Sequence, residues 1–193
     1  PLISSGQRKA PFSPRGLVAK DNVLYVADSE GSSRFGSSFP PINVYNATTG
    51  DFLSEIIPNA CFALEIHPRG LVFGTDGMLY ASYFSTTEFA STDPPGVVLR
   101  FLDTQTGAFE VVAANYGSRL PAALDTANLH NPEGLVFGPD GRLYVTSTLA
   151  HSAENGIVIV DIKKKAQVGF IPLGQDFTQA LLFGPNDHLY VPI

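Results

Sequence analysis

Four side chains that could do chemistry occupy one repeated position. Arg15, Arg69, Glu133 and Gln179 each precede a small residue, Gly16, Gly70, Gly134 or Ala180. The first three also follow a proline, Pro14, Pro68 or Pro132; Thr178 stands in that place before Gln179. Two guanidiniums, a carboxylate and an amide brought to one spot could hold a small polar or anionic molecule. They could hold a cation instead, through Glu133, if that carboxylate turned from the arginines. The plainer alternative is that they cap strand ends and bind water. One residue earlier stand Ser13, His67, Asn131 and Phe177, of which His67 and Asn131 add further polar groups.

Other reactive residue types carry weaker signals. Asp28 and Glu30 could meet a cation, or could cap a loop. His67, His130 and His151 could ligate zinc, yet no His-Glu-x-x-His spacing is present. Cys61, the one cysteine, lies beside Phe62 and Leu64, which suits a buried structural thiol better than a nucleophile. It also excludes an internal disulfide and a cysteine-rich zinc site. No Gly-x-Ser-x-Gly elbow, phosphate loop or dinucleotide fingerprint occurs.

The elements that would position these residues follow from an internal repeat. Gly16-Leu17-Val18-Ala19 leading to Leu24-Tyr25-Val26 returns as Gly70–Phe73 with Leu79-Tyr80-Ala81, as Gly134–Phe137 with Leu143-Tyr144-Val145, and as Ala180–Phe183 with Leu189-Tyr190-Val191. The starts lie 54, 64 and 46 positions apart, against about 40–50 residues for propeller repeats, so the excess belongs in loops. Turn residues such as Gly74-Thr75-Asp76-Gly77 and Gly138-Pro139-Asp140-Gly141 join the two runs into a hairpin. Two more apolar runs follow in each unit, for example Val97–Phe101 and Phe109–Val112. Four antiparallel strands per repeat, without helical periodicity, predict an all-β propeller. The expected blades are residues 13–57, 67–113 and 131–171, with a partial fourth over 178–193, all in one domain.

Propellers have about 4–8 blades. Missing blades, or self-association, are therefore expected to complete the ring; a four-bladed closure using Leu2-Ile3 is an alternative. Inner strands converge on the axis, so their first residues should ring a channel mouth. The loops after second strands and between blades are long, and sites favour such loops on a rigid scaffold. The site is expected on that face, and the opposite, short-turn face around Lys163–Lys165 is expected to lack a concavity. Arg15 and Arg69 should also lower the cost of keeping Glu133 ionised.

Composition bounds the partners. Hydrophobic residues make up 44% and charged residues 16% of the 193, with a net charge of −6. That balance is globular and does not favour nucleic acid. No stretch nears the roughly 18 apolar residues of a membrane span. No signal peptide is visible, although one could have been removed. Asn46-Ala47-Thr48 fits a glycosylation acceptor and leans toward a secreted or extracellular setting.

The segment Asn131-Pro132-Glu133-Gly134-Leu135-Val136-Phe137-Gly138-Pro139-Asp140-Gly141-Arg142-Leu143-Tyr144-Val145 resembles the repeats of NHL proteins and of the regucalcin/gluconolactonase superfamily. Leu24–Ser29 looks like an NHL second strand. The resemblance implies a propeller, with this chain a fragment of a six-bladed one. The leading function read from the mouth residues is a non-catalytic or weakly catalytic scaffold binding a small polar or anionic ligand at the long-loop face; the resemblance implies two alternatives, a divalent-metal-dependent lactone or ester hydrolase and an NHL-like protein-interaction module. In regucalcin-like lactonases a Glu of a Glu-Gly pair, with an Asn and an Asp from other blades, holds a divalent cation such as calcium. Only Glu133-Gly134 matches that pair, and so only Glu133 carries over as a metal ligand. Blades one and two have Arg15-Gly16 and Arg69-Gly70 there, which suits an anionic ligand better.

Overall fold

A computed structural model describes residues 2–7, 9–30, 40–59, 66–85, 95–115, 128–149, 154–176 and 178–193. Their regular structure is all β, apart from one 3-10 turn at Pro185–Asp187. Blade one comprises β1 (Pro14–Lys20), β2 (Val23–Asp28), β3 (Ile42–Asn46) and β4 (Phe52–Ile56). Blade two comprises β5 (Ile66–Phe73), β6 (Leu79–Ser85), β7 (Gly96–Asp103) and β8 (Ala108–Asn115). Blade three has β9 (Leu135–Phe137), β10 (Leu143–Ser147), β11 (Asn155–Asp161) and β12 (Ala166–Gly174), and a two-stranded unit follows with β13 (Leu182–Phe183) and β14 (Leu189–Tyr190). Every sheet is an antiparallel meander whose neighbours in sequence are neighbours in space. The sequence expectation of three four-stranded units and a partial fourth therefore holds. Residues 2–12 form no strand among those described.

The core lies between the blades. Because side chains alternate along a strand, blade two feeds both of its neighbours. Leu79, Ala81 and Tyr83 of β6 join a cluster with Ala27, Ile42 and Val44 of blade one, whereas Tyr80 joins one with Leu135, Leu143 and Val158 of blade three. This is why the β6 run is apolar on both faces. A ring ladder ties successive blades: Tyr25, Tyr80 and Tyr144 meet Phe73, Phe137 and Phe183 edge to face at 5.2, 5.0 and 5.0 Å. Such pairs contribute about 0.5–1.5 kcal/mol beyond area burial.

The Pro-x-Gly element is a local break in this regularity. Registers shift between Pro14 and Leu17 and again between Pro68 and Leu71, so Arg15-Gly16 and Arg69-Gly70 are bulges, which re-aim side chains at a sheet end. The glycine answers to close packing. A Cβ on Gly16 would sit 2.2 Å from the carbonyl oxygen of Arg69, and one on Gly70 2.2 Å from that of Glu133. Each inner strand thus presses its glycine against the mouth residue of the next blade.

Candidate functional site

Convergence of the inner strands brings Arg15, Arg69, Glu133 and Gln179 together around a concave cavity of about 210 Å³. Its wall continues through Gly16, Gly70 and Gly134 to the leucines that follow them. Arg15 and Gln179 are exposed, Glu133 is half-buried, and Arg69 is only 6% exposed.

Arg69 is the most constrained of the four. Its guanidinium carbon lies 3.7 Å from the centre of the Phe84 ring, a stacking distance. Its Nη1 stands 3.8 Å from Glu133 Oε1, an ion pair without hydrogen-bond length. Its Nε is buried and has no hydrogen-bond partner among the described residues. Burial lowers its pKa to about 10, against an opposing pull from Glu133 and a further lowering by Arg15. The arginines act on Glu133 in the expected direction but do not set the net result. Arg69 and Arg15 do favour its ionised form, but desolvation is the larger effect and leaves the carboxyl above its ordinary value. A distance of 3.8 Å is too long for the hydrogen bond that would offset burial.

Hydroxyls on the second strands brace the mouth backbone. The Gly70 amide donates to Ser82 Oγ at 2.8 Å, and that hydroxyl donates to the Glu133 carbonyl at 2.6 Å. One blade on, the amides of Glu133 and Gly134 donate to Thr146 Oγ1 at 3.1 and 2.9 Å. Sequence reading missed Ser82, Thr146 and Phe84. The signal was a hydroxyl three residues after the second-strand leucine, as in Leu79–Ser82 and Leu143–Thr146.

The other candidates stand apart from this cavity. His67 is buried on β5, its Nδ1 against the Ser29 carbonyl. Asn131 is buried with φ at 38°, and its Oδ1 has no partner among the described residues. Neither lines the mouth cavity. His130 Nδ1 pairs with the Asn115 amide nitrogen at 3.1 Å. Asp28 acts as a cap: its carboxylate accepts from the amides of Phe12 and Ser13 at 3.0 and 2.8 Å and from Asn43 Nδ2 at 3.2 Å. Cys61, His151 and Phe177 lie outside the described residues. Among those described, no three His, Cys, Asp or Glu side chains gather as cation ligands. Glu133 faces two arginines, so the residues in hand do not fit a calcium site.

The short-turn face requires a correction. A cleft of about 360 Å³ opens there between blades one and two, lined by Lys20, Asp21, Tyr25, Phe73, Phe101 and Asp103 among others. Between blades two and three the matching space is filled. Arg100 reaches Asp76 and Glu110 at 3.0 and 2.7 Å, and Lys165 reaches Glu110 at 2.6 Å. The register puts Val44 and Ser54 of blade one where blade two has Arg100 and Glu110. Turn length reveals neither the cleft nor the ion-pair cluster.

Comparison with known proteins is consistent with this picture. A family model described as strictosidine synthase-like, N-terminal, matches residues 122–148, well short of half the chain. No curated protein matches the sequence. Solved structures resemble it more broadly at low identity. One, provisionally designated a gluconolactonase, shares 16% identity with a TM-score of 0.60, over 99% of this chain and 58% of its own. The hydrazine synthase of Kuenenia stuttgartiensis shares 15% with a TM-score of 0.59, over 90% of this chain and 41% of its own. An exo-β-1,3-galactanase of Phanerochaete chrysosporium shares 10% with a TM-score of 0.61, over 93% and 42%. The chain thus spans about half the length of these structures. Three such different activities on one architecture establish fold and not function: the chain is a β-propeller, sharing its fold with the gluconolactonase-designated structure.

Proposed function

We propose that this propeller binds a small anionic, carboxylate-bearing molecule at the long-loop mouth of its channel, as a scaffold with little or no catalytic activity. The observation that carries the reading is Arg69. It is a buried guanidinium stacked on Phe84, held only loosely by Glu133, with Arg15 beside it. Within the cavity lining two guanidiniums stand against one carboxylate, and Glu30 acts on Arg69 from outside that lining. A carboxylate there would give the guanidiniums the short charged hydrogen bonds that the mouth lacks. Titration of the chain with gluconate, followed by calorimetry, tests this. Binding is expected, with at least about a tenfold loss in Arg69→Ala, since a hydrogen bond to a charged group contributes about 1.5–3 kcal/mol. Undiminished binding in that variant would overturn it.

A second reading rests on Glu133-Gly134, the pair shared with lactonase-type propellers, and makes the chain a fragment of a metal-dependent lactone or ester hydrolase. Calcium titration of wild type and Glu133→Gln separates the two. Calcium binding that disappears in Glu133→Gln supports the hydrolase, and gluconate binding that survives it supports the scaffold.

A further inference from the structure

The cleft on the short-turn face is a second concavity, separate from the mouth, and the repeat shows what occupies its counterpart one blade on. Met78 of blade two and Ile162 of blade three pack with Phe137 in the cluster those blades share. Val23 and Leu102 hold the same two positions at the cleft, and Leu102 is 50% exposed there. The charges differ in parallel. Asp76 meets Arg100 at 3.0 Å, and Asp161 meets Lys164 at 3.6 Å. Their counterparts at the cleft are Asp21, in the same hairpin turn, and Asp103, in the same register. Neither forms an ion pair among the described residues, and Val44 and Thr106 hold the places of Arg100 and Lys164. The Lys20 ammonium also borders the cleft, but it lies 4.6 Å from the centre of the Phe73 ring and donates to the Gly77 carbonyl at 3.1 Å. Tyr80 and Tyr144 donate their hydroxyls to the turn carboxylates Asp76 and Asp140 at 2.8 and 3.1 Å. Tyr25 makes no such bond to Asp21, which sits in a two-residue turn at φ 52°.

We propose that this cleft binds a small organic cation, an ammonium or amidinium group on an apolar or aromatic body. Asp21 and Asp103 face the charge, and Phe73, Phe101 and Leu102 flank the body. The molecule supplies the precedent. Where blades two and three close the matching space, they do so with cations on carboxylates and with apolar side chains against an aromatic ring. The occupant is a small molecule, because about 360 Å³ lies at the lower end of ligand sites, about 300–1,000 Å³. A net charge of −6 on the chain favours the approach of a cation. The two faces would then sort ligands by charge, with guanidiniums at the mouth and carboxylates at the cleft.

Benzamidine is the probe, with benzamide as its neutral isostere and benzoate as its anionic one. Titration of the 193-residue chain is followed by the nuclear magnetic resonance shifts of the Gly77 and Thr104 amides, which border the cleft. Benzamidine should move both signals saturably, benzamide should bind several-fold more weakly, and benzoate should leave these signals still. Excess gluconate should not displace benzamidine. Asp21→Asn and Asp103→Asn should each weaken benzamidine by up to about fivefold, the range of exposed ion pairs, and together by about tenfold. Both changes suit the backbone: asparagine tolerates the positive φ at position 21, and at position 103 it still offers an oxygen to the amides of Gln105 and Thr106. Val23→Met places the blade-two residue in the cleft and should abolish binding without lowering the melting temperature. Any of four results would overturn the proposal: no saturable shift at Gly77 and Thr104, benzamide or benzoate binding there as tightly as benzamidine, displacement by gluconate, or undiminished binding in the folded double variant.

Discussion

At Glu133 burial and charge pairing act in opposite directions, and burial wins. The sign of its pH dependence follows. A carboxyl whose folded pKa is raised holds its proton longer in the folded than in the unfolded state, so stability falls as pH rises from the ordinary glutamate range through the raised value. The stability of wild type minus that of Glu133→Gln, measured by urea unfolding, should decline as pH rises out of the ordinary glutamate range, about 4.3. A flat or rising difference would mean that the arginines dominate. Asp28 is a buried carboxylate that accepts three hydrogen bonds. Asp28→Ala leaves those donors unanswered and should cost about 2–3 kcal/mol in the same assay. Sequence alone named Asp28 as either a cation ligand or a cap. The capping partners Phe12, Ser13 and Asn43 needed three dimensions to be seen.

Between elements, two kinds of glycine separate. Gly141 has φ at 73° and open space around its Cα, while Gly70 needs room because the next blade's carbonyl is 2.2 Å from where a Cβ would lie. Gly141→Ala should cost about 1 kcal/mol through backbone strain alone. Gly70→Ala must push neighbouring inner strands apart and should cost about 3 kcal/mol or more, together with loss of gluconate binding, since the adjoining Arg69 would move. Equal effects on thermal unfolding would show that the inner strands are not wedged in this way. The turn glycine was legible within Gly-Pro-Asp-Gly. The repeated Gly16, Gly70 and Gly134 were legible as a pattern, but the contact that demands them joins residues far apart in the chain, as Gly16 and Arg69 are.

Across the whole molecule, protection should grade with coverage. Blade two contributes to both core clusters, whereas the β13–β14 hairpin has a bare outer face. Hydrogen exchange is therefore expected to be slowest in β6 and β7 and fastest in β13 and β14, because local opening costs least where least apolar surface is covered. Uniform protection would contradict this reading of the array. The amino-acid sequence by itself determined the strand repeat, the hairpin turns and the residues that ring the mouth. Those follow from local alternation, turn chemistry and spacing, all short-range properties repeated until they were unmistakable. Tertiary structure alone decided the raised pKa of Glu133, the stacking of Arg69 on Phe84, and the cleft on the short-turn face. Each depends on how neighbouring blades press together, and so on desolvation and side-chain volume summed over residues far apart in the chain.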